Sequence, residues 1–178
     1  NQGVISIENS AIGMTRLCIR TNKCEPTPSR KGKLAIAFNG EIYSYQIGKT
    51  IKQAITPDDE IQAIINQYPL DGMFSYAILN NNGQIELARD SFGIKPLYIK
   101  RFENGVAASS EIEGLLSIGK NTLNIDAIKE FLVYGNHFLN DSFYNELNEI
   151  KPGHTGVMEN GSLKITKNNR SIKYIKQP

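Results

Sequence analysis

Tryptophan does not occur in these 178 residues, and cysteine and histidine occur only twice each, as Cys18 and Cys24, His137 and His154. So few thiols build no disulfide framework in a chain of this length, and so few imidazoles do not read as a zinc site. Charge of one sign is lacking as well: 20 Lys and Arg stand against 18 Asp and Glu. The net +2 creates no field to hold a polyanion or an anionic bilayer, so neither nucleic acid nor a membrane surface is indicated. Long apolar runs are also missing. No stretch approaches the roughly 20 residues of a membrane-crossing helix, and the first residues lack the basic-then-apolar layout of a secretory signal. A reducing, cytoplasmic setting is the expectation.

What is present is enough chain for one core, since a domain near this length removes roughly 70% of its unfolded surface from water. Short β-branched runs alternate with turn signals. Leu34-Ala-Ile-Ala-Phe38 is one such run, ending at Asn39-Gly40. Four more follow as an expected meander: Phe74 to Leu79, Ile85 to Asp90, Pro96 to Arg101 and Val106 to Ser110. A hairpin with Asn160-Gly161 at its tip joins Gly156 to Glu159 with Ser162 to Ile165. Helices are fewer. Thr56-Pro-Asp-Asp-Glu60 is a start signal, with Thr as cap, Pro at the first helical position and acids in the first turn, feeding Ile61 to Tyr68. Glu111 to Leu116 and Ile125 to Tyr134, the latter stopped by Gly135, are the other two. The class is therefore α+β with substantial antiparallel sheet, which two facing sheets with helices on their outer faces would fit. Residues 1–165 form the domain and 166–178 a polar tail or linker.

Several residues invite a chemical reading beside a plainer one. Asn39-Gly40-Glu41 at a strand's end puts an amide donor, a bare backbone and a carboxylate together, although composition alone favours a simple hairpin turn. Arg16 sits in an apolar strand where its fork would suit a carboxylate, although most such arginines reach solvent past their own stem. Asp58 would hold an ammonium, yet a first-turn acid complementing the helix dipole explains it as well. Arg89, Asp90 and Lys95 read as a charged hairpin connection and receive no catalytic role. Cys18, between Leu17 and Ile19, reads as a small buried hydrophobe.

Taken in order, three segments resemble the glutaminase domain of the asparagine synthetase family, which belongs to the class II, N-terminal nucleophile amidotransferases. They are Phe38-Asn-Gly-Glu-Ile-Tyr43, Asp71-Gly-Met-Phe-Ser-Tyr-Ala-Ile78 and Ala88-Arg-Asp-Ser-Phe-Gly-Ile-Lys-Pro-Leu-Tyr98. Ser109 to Leu116, Phe131 to Gly135 and Ile150-Lys-Pro-Gly-His154 continue the likeness, the last two favouring the asparagine synthetase branch. The resemblance implies a four-layer α-β-β-α sandwich that hydrolyses glutamine to glutamate and ammonia for a synthetase domain. It also implies Arg16 for the glutamine α-carboxylate, Asn39 and Gly40 for the oxyanion hole, and Glu41 and Asp58 for the α-ammonium. ATP and Mg are implied only for the synthetase, no cofactor for this domain, and a homodimer is allowed.

The sequence departs from that pattern at its start. The family's nucleophile is a cysteine at the first position of the mature chain, with its own α-amino group as base. Here residue 1 is Asn, and Asn1-Gln-Gly-Val-Ile-Ser-Ile7 resembles a strand from inside the family domain. The expectation is a domain lacking its cysteine-bearing front segment, inactive as it stands but active in the intact protein. The connections from Tyr45 to Pro57 and from Tyr68 to Leu70 are also short for the family. A non-catalytic relative, acting as a binding or docking module, is the alternative.

Overall fold

The computed structural model describes residues 2–15, 28–139 and 142–167. The chain opens with a hairpin, β1 (Gln2–Ile7) and β2 (Ser10–Thr15). After it come β3 (Ser29–Lys31), β4 (Leu34–Ile47) and β5 (Thr50–Gln53), then helix α1 (Pro57–Ile65). β6 (Leu70–Leu79), β7 (Ile85–Arg89), β8 (Tyr98–Phe102) and β9 (Gly105–Ser109) follow, then α2 (Ile112–Leu116) and α3 (Ile125–Tyr134). β10 (Leu147–Glu149), β11 (His154–Glu159) and β12 (Ser162–Lys167) complete the order. Among the described residues no helix is long and apolar enough to cross a membrane.

Among the described residues all strand pairings are antiparallel, and the two main sheets are unequal. The large one has seven strands in the order β12-β11-β7-β6-β4-β3, with β5 hydrogen-bonded to the far half of β4; the small one is β10-β8-β9. The four expected meander strands are all present, but they form no single meander. β6 and β7 lie in the large sheet, β8 and β9 in the small one, and residues 90–97 carry the chain across.

Alternation along the strands builds the layers. Ile36, Phe38, Phe74, Tyr76 and Ile78 turn to one face of the large sheet, where Ile61, Ala63 and Ile64 of α1 cover them. Leu87 turns to the opposite face and meets Leu97, Ile99 and Ile150 with Ala108 of the small sheet. The outer face of the small sheet is closed by α2: Lys100, only 1% exposed, donates to the carbonyls of Leu115 (3.2 Å) and Ile118 and to Asn121 Oδ1. Helix, sheet, sheet, helix is thus the order of layers, as the family resemblance implies. The β1–β2 hairpin lies on the inner face of the large sheet, with Ile12 against Ala35 and Leu79.

The short connections have a structural account. Between Tyr45 and Pro57 the chain folds into the β4–β5 hairpin instead of a helix, and Gln46 N–H donates to the Pro69 carbonyl at 2.9 Å. The final strand reaches Lys167, two residues beyond the expected domain end.

Candidate functional site

A cavity of about 670 Å³ opens between the layers, where hairpin, large sheet and small sheet meet. Asn39, Gly40 and Glu41 of β4 line it together with Ser75 of β6, while Lys95, Ser109, Ser110 and Glu111 line it from the other sheet's side. Met14, Ile85, Leu87, Leu97 and Met158 supply an apolar part of the wall.

Asn39-Gly40 is not a turn. Both residues lie inside the fourteen-residue strand β4, in register with Ser75 and Phe74 of β6. The local turn preference loses to ten paired positions with β6. Glycine is nevertheless required: Gly40 has φ +126°, and a Cβ there would lie 2.0 Å from the Met73 carbonyl oxygen. The crowding is reciprocal, since a Cβ on Gly72 would lie 2.3 Å from the carbonyl oxygen of Glu41.

The direction of Gly40's amide follows from the ladder. Phe74, its partner, spends both backbone groups on Asp90: its N–H donates to the carboxylate at 3.2 Å and its carbonyl accepts from Asp90 N–H at 2.8 Å. The pair is therefore a non-hydrogen-bonded one, and Gly40 N–H turns away from β6 toward the open edge of β4. On that same edge Phe38 N–H meets Met14 Sδ at 3.5 Å and Ile42 N–H meets Glu60 Oε1 at 3.0 Å. Glu60, 3% exposed and also in the cavity lining, escaped the sequence reading because it looked like one more first-turn acid.

The remaining candidates are placed less centrally. Asp58 is exposed at the start of α1 and ion-paired with Lys31; it is not in the cavity lining, although Pro57 and Glu60 beside it are. Arg16, Cys18 and Cys24 lie outside the described residues, and Thr15, just before Arg16, lines the cavity. Among the described residues no three His, Cys, Asp or Glu side chains gather as a metal site requires.

Arg89 and Asp90 are not a solvent-facing hairpin connection but a buried brace, 8% and 1% exposed. Arg89 donates to the carbonyls of Lys95 (2.8 Å), Gly93 (2.8 Å) and Ile150 (2.7 Å) and pairs with Glu149 at 2.9 Å. Asp90 accepts from the backbone of Phe92 (3.0 Å), Ile94 (3.1 Å) and Lys95 (3.0 Å) besides Phe74. Together they hold the loop that brings Lys95 to the cavity. Nearby, burial and then the charge of Glu149 push the Tyr98 phenol above its usual range, with Arg89 opposing. The one signal in the sequence was an Asp at a strand's end followed by Ser-Phe-Gly, the pattern of a carboxylate folding a turn around itself.

Residues 62–169 match the glutamine amidotransferase domain family, more than half of the chain. The chain belongs to that family. This amidotransferase domain is similar to the glutamine-hydrolysing asparagine synthetase 1 of Bacillus subtilis, at 28% identity over 152 residues, covering 75% of this chain and 24% of that protein. It is 29% identical over 152 residues to the asparagine synthetase of Mus musculus, covering 74% and 26%. The chain thus spans about a quarter of the length of the relatives it matches. Among solved structures it superposes on glutamine phosphoribosylpyrophosphate amidotransferase from B. subtilis with a TM-score of 0.48 and 18% identity, over 92% of this chain and 35% of that one.

Proposed function

We propose that this domain is a glutaminase that hydrolyses the side-chain amide of L-glutamine in the cavity between its sheets and supplies ammonia to an asparagine synthetase-like partner. The observation that carries the reading is that Asn39, Gly40 and Glu41, consecutive on β4, all line one cavity, with the Gly40 N–H turned to the open edge of the strand. An amide carbonyl that becomes tetrahedral needs two donors at its oxygen, and an amino acid's ammonium needs an acid beside it. In this reading Asn39 Nδ2 and Gly40 N–H hold the oxyanion, Glu41 receives the α-ammonium and Arg16 takes the α-carboxylate, while Asp58, outside the cavity lining and paired with Lys31, joins Glu41 only on leaving that pair. ATP and Mg serve the synthetase alone.

The nucleophile is the thiol of a cysteine at the mature N-terminus, as in the family. Its α-amino group takes the thiol proton, the sulfur bonds the amide carbon, the carbon–nitrogen bond breaks, and the leaving nitrogen takes that proton from the resulting α-ammonium to depart as ammonia. Water then cleaves the thioester to glutamate and restores the thiol. A pocket that excludes bulk water keeps both steps productive.

The pairing of Asp58 with Lys31 favours a second reading, a binding module without catalysis, because it occupies one of the two acids. Calorimetry with glutamine and glutamate release by the intact gene product separate the two. Glutamine binding with glutamate release supports the glutaminase; no release, with glutamine bound weakly or not at all, supports the module. An intact reading frame with no N-terminal cysteine ends the glutaminase reading.

A further inference from the structure

We infer that Ser75 is a positioning residue of the glutaminase: its hydroxyl donates to Asn39 Oδ1 when glutamine binds and so holds Asn39 Nδ2 on the oxyanion. The inference rests on the glutaminase reading above and adds to it the group that orients one of its two donors. Ser75 stands directly opposite Asn39 in the β4–β6 ladder. Two residues away on the same strands, Ala37 and Ala77 both pack against Ile12, Ala35 and Leu79 on the inner face of the large sheet. By alternation Asn39 and Ser75 share that face, and both line the cavity. Opposed side chains of an antiparallel pair stand roughly 4.5–5.5 Å apart at Cβ, within reach of a hydrogen bond between a carboxamide and a hydroxyl.

Ser75 is 3% exposed, and among the described residues neither its hydroxyl nor the Asn39 carboxamide has a hydrogen-bond partner. Burying a hydroxyl without a partner is costly, and native folds seldom do it without a use for the group. Of the two residues opposite Ser75, Arg89 of β7 is already spent: its guanidinium donates to the carbonyls of Gly93, Lys95 and Ile150 and pairs with Glu149. That leaves Asn39. A carboxamide has a donor edge and an acceptor edge that exchange by half a turn of its terminal bond. When Nδ2 donates to the substrate carbonyl, Oδ1 is turned out of water and needs a donor, which the Ser75 hydroxyl supplies from across the ladder. Turned the other way, Oδ1 would face the developing oxyanion and repel it. Catalytic hydrogen bonds of this kind tighten only once the substrate is in place.

The test uses the intact gene product. Ser75→Ala removes a single oxygen atom and should lower kcat for glutamate release about tenfold, with KM within about twofold of wild type. In an Asn39→Ala background the same change should cost less than about twofold, because a group that acts only through Asn39 has nothing left to orient. A kcat within about twofold of wild type in Ser75→Ala, or a loss above about twofold repeated in the Asn39→Ala background, would overturn the assignment. If the wild type releases no glutamate, the glutaminase reading fails by itself, and Ser75 is judged by the heteronuclear NOE of the Asn39 side-chain amide nitrogen at saturating glutamine. An amide ordered in the wild type and mobile in Ser75→Ala supports the positioning role; equal mobility in the two overturns it.

Discussion

At the scale of single residues, the site depends on a strand in which one glycine is indispensable. Gly40→Ala would force φ +126° on a residue with a Cβ and drive that Cβ into the Met73 carbonyl. The expected cost is about 2–3 kcal/mol of stability in a denaturant titration. Asn39→Ala, at an exposed amide, should leave stability unchanged and lower kcat for glutamate release by about 100-fold or more, with KM little altered, if Asn39 holds the oxyanion. A change confined to KM would assign Asn39 to ground-state binding. Asp90→Ala removes the acceptor of four backbone N–H groups from a buried position and should cost about 3 kcal/mol or more by the same titration. Neither that burial nor the strand position of Asn39-Gly40 was legible locally. A turn pair and a charged connection are what those letters most often spell, and only contacts with distant segments reverse that.

At the scale of elements, α1 was readable because its start signals are local. Thr56 accepts from Asp59 N–H at 3.2 Å while the Asp59 carboxylate accepts from Thr56 N–H at 2.8 Å, a reciprocal cap around Pro57. Asp59→Ala should cost about 1 kcal/mol. The backbone N–H of Thr56, then its hydroxyl, hold the Asp59 carboxyl below its ordinary value. A depressed folded value means that this stabilisation is present above the ordinary carboxylate range and is lost as pH falls through the folded value. Asp59→Asn should therefore flatten the acid limb of the stability–pH curve and leave the neutral region parallel. The small sheet shows the opposite case. Lys100 belongs to an expected strand, yet its burial against the end of α2 depends on a helix that arrives later in the chain. Lys100→Met should cost about 2–4 kcal/mol in thermal or chemical unfolding, because the Leu115 and Ile118 carbonyls lose a charged donor.

At the scale of the whole molecule, the cavity exists because the inner layer is made of two separate pieces. The hairpin and the small sheet both rest on the large sheet without pairing to each other, and the space bordered by them reaches Asn39 and Glu41. If that space takes glutamine, the amino acid at about 100 times its Kd should stabilise the fold by about 2.7 kcal/mol, seen as a rise in Tm. Aspartate at equal concentration is too short to reach both the ammonium and oxyanion groups and should produce no such rise.

The sequence by itself determined most of the elements, the antiparallel character, the helix caps and the ordered motifs of an amidotransferase domain, because these rest on neighbours a few residues apart. Tertiary structure alone decided that Asn39-Gly40 lies mid-strand, that β6 to β9 divide between two sheets, and that Arg89, Asp90 and Lys100 are buried. Those outcomes depend on pairings and helix contacts between segments tens of residues apart, where burial and long-range hydrogen bonds outweigh local preference.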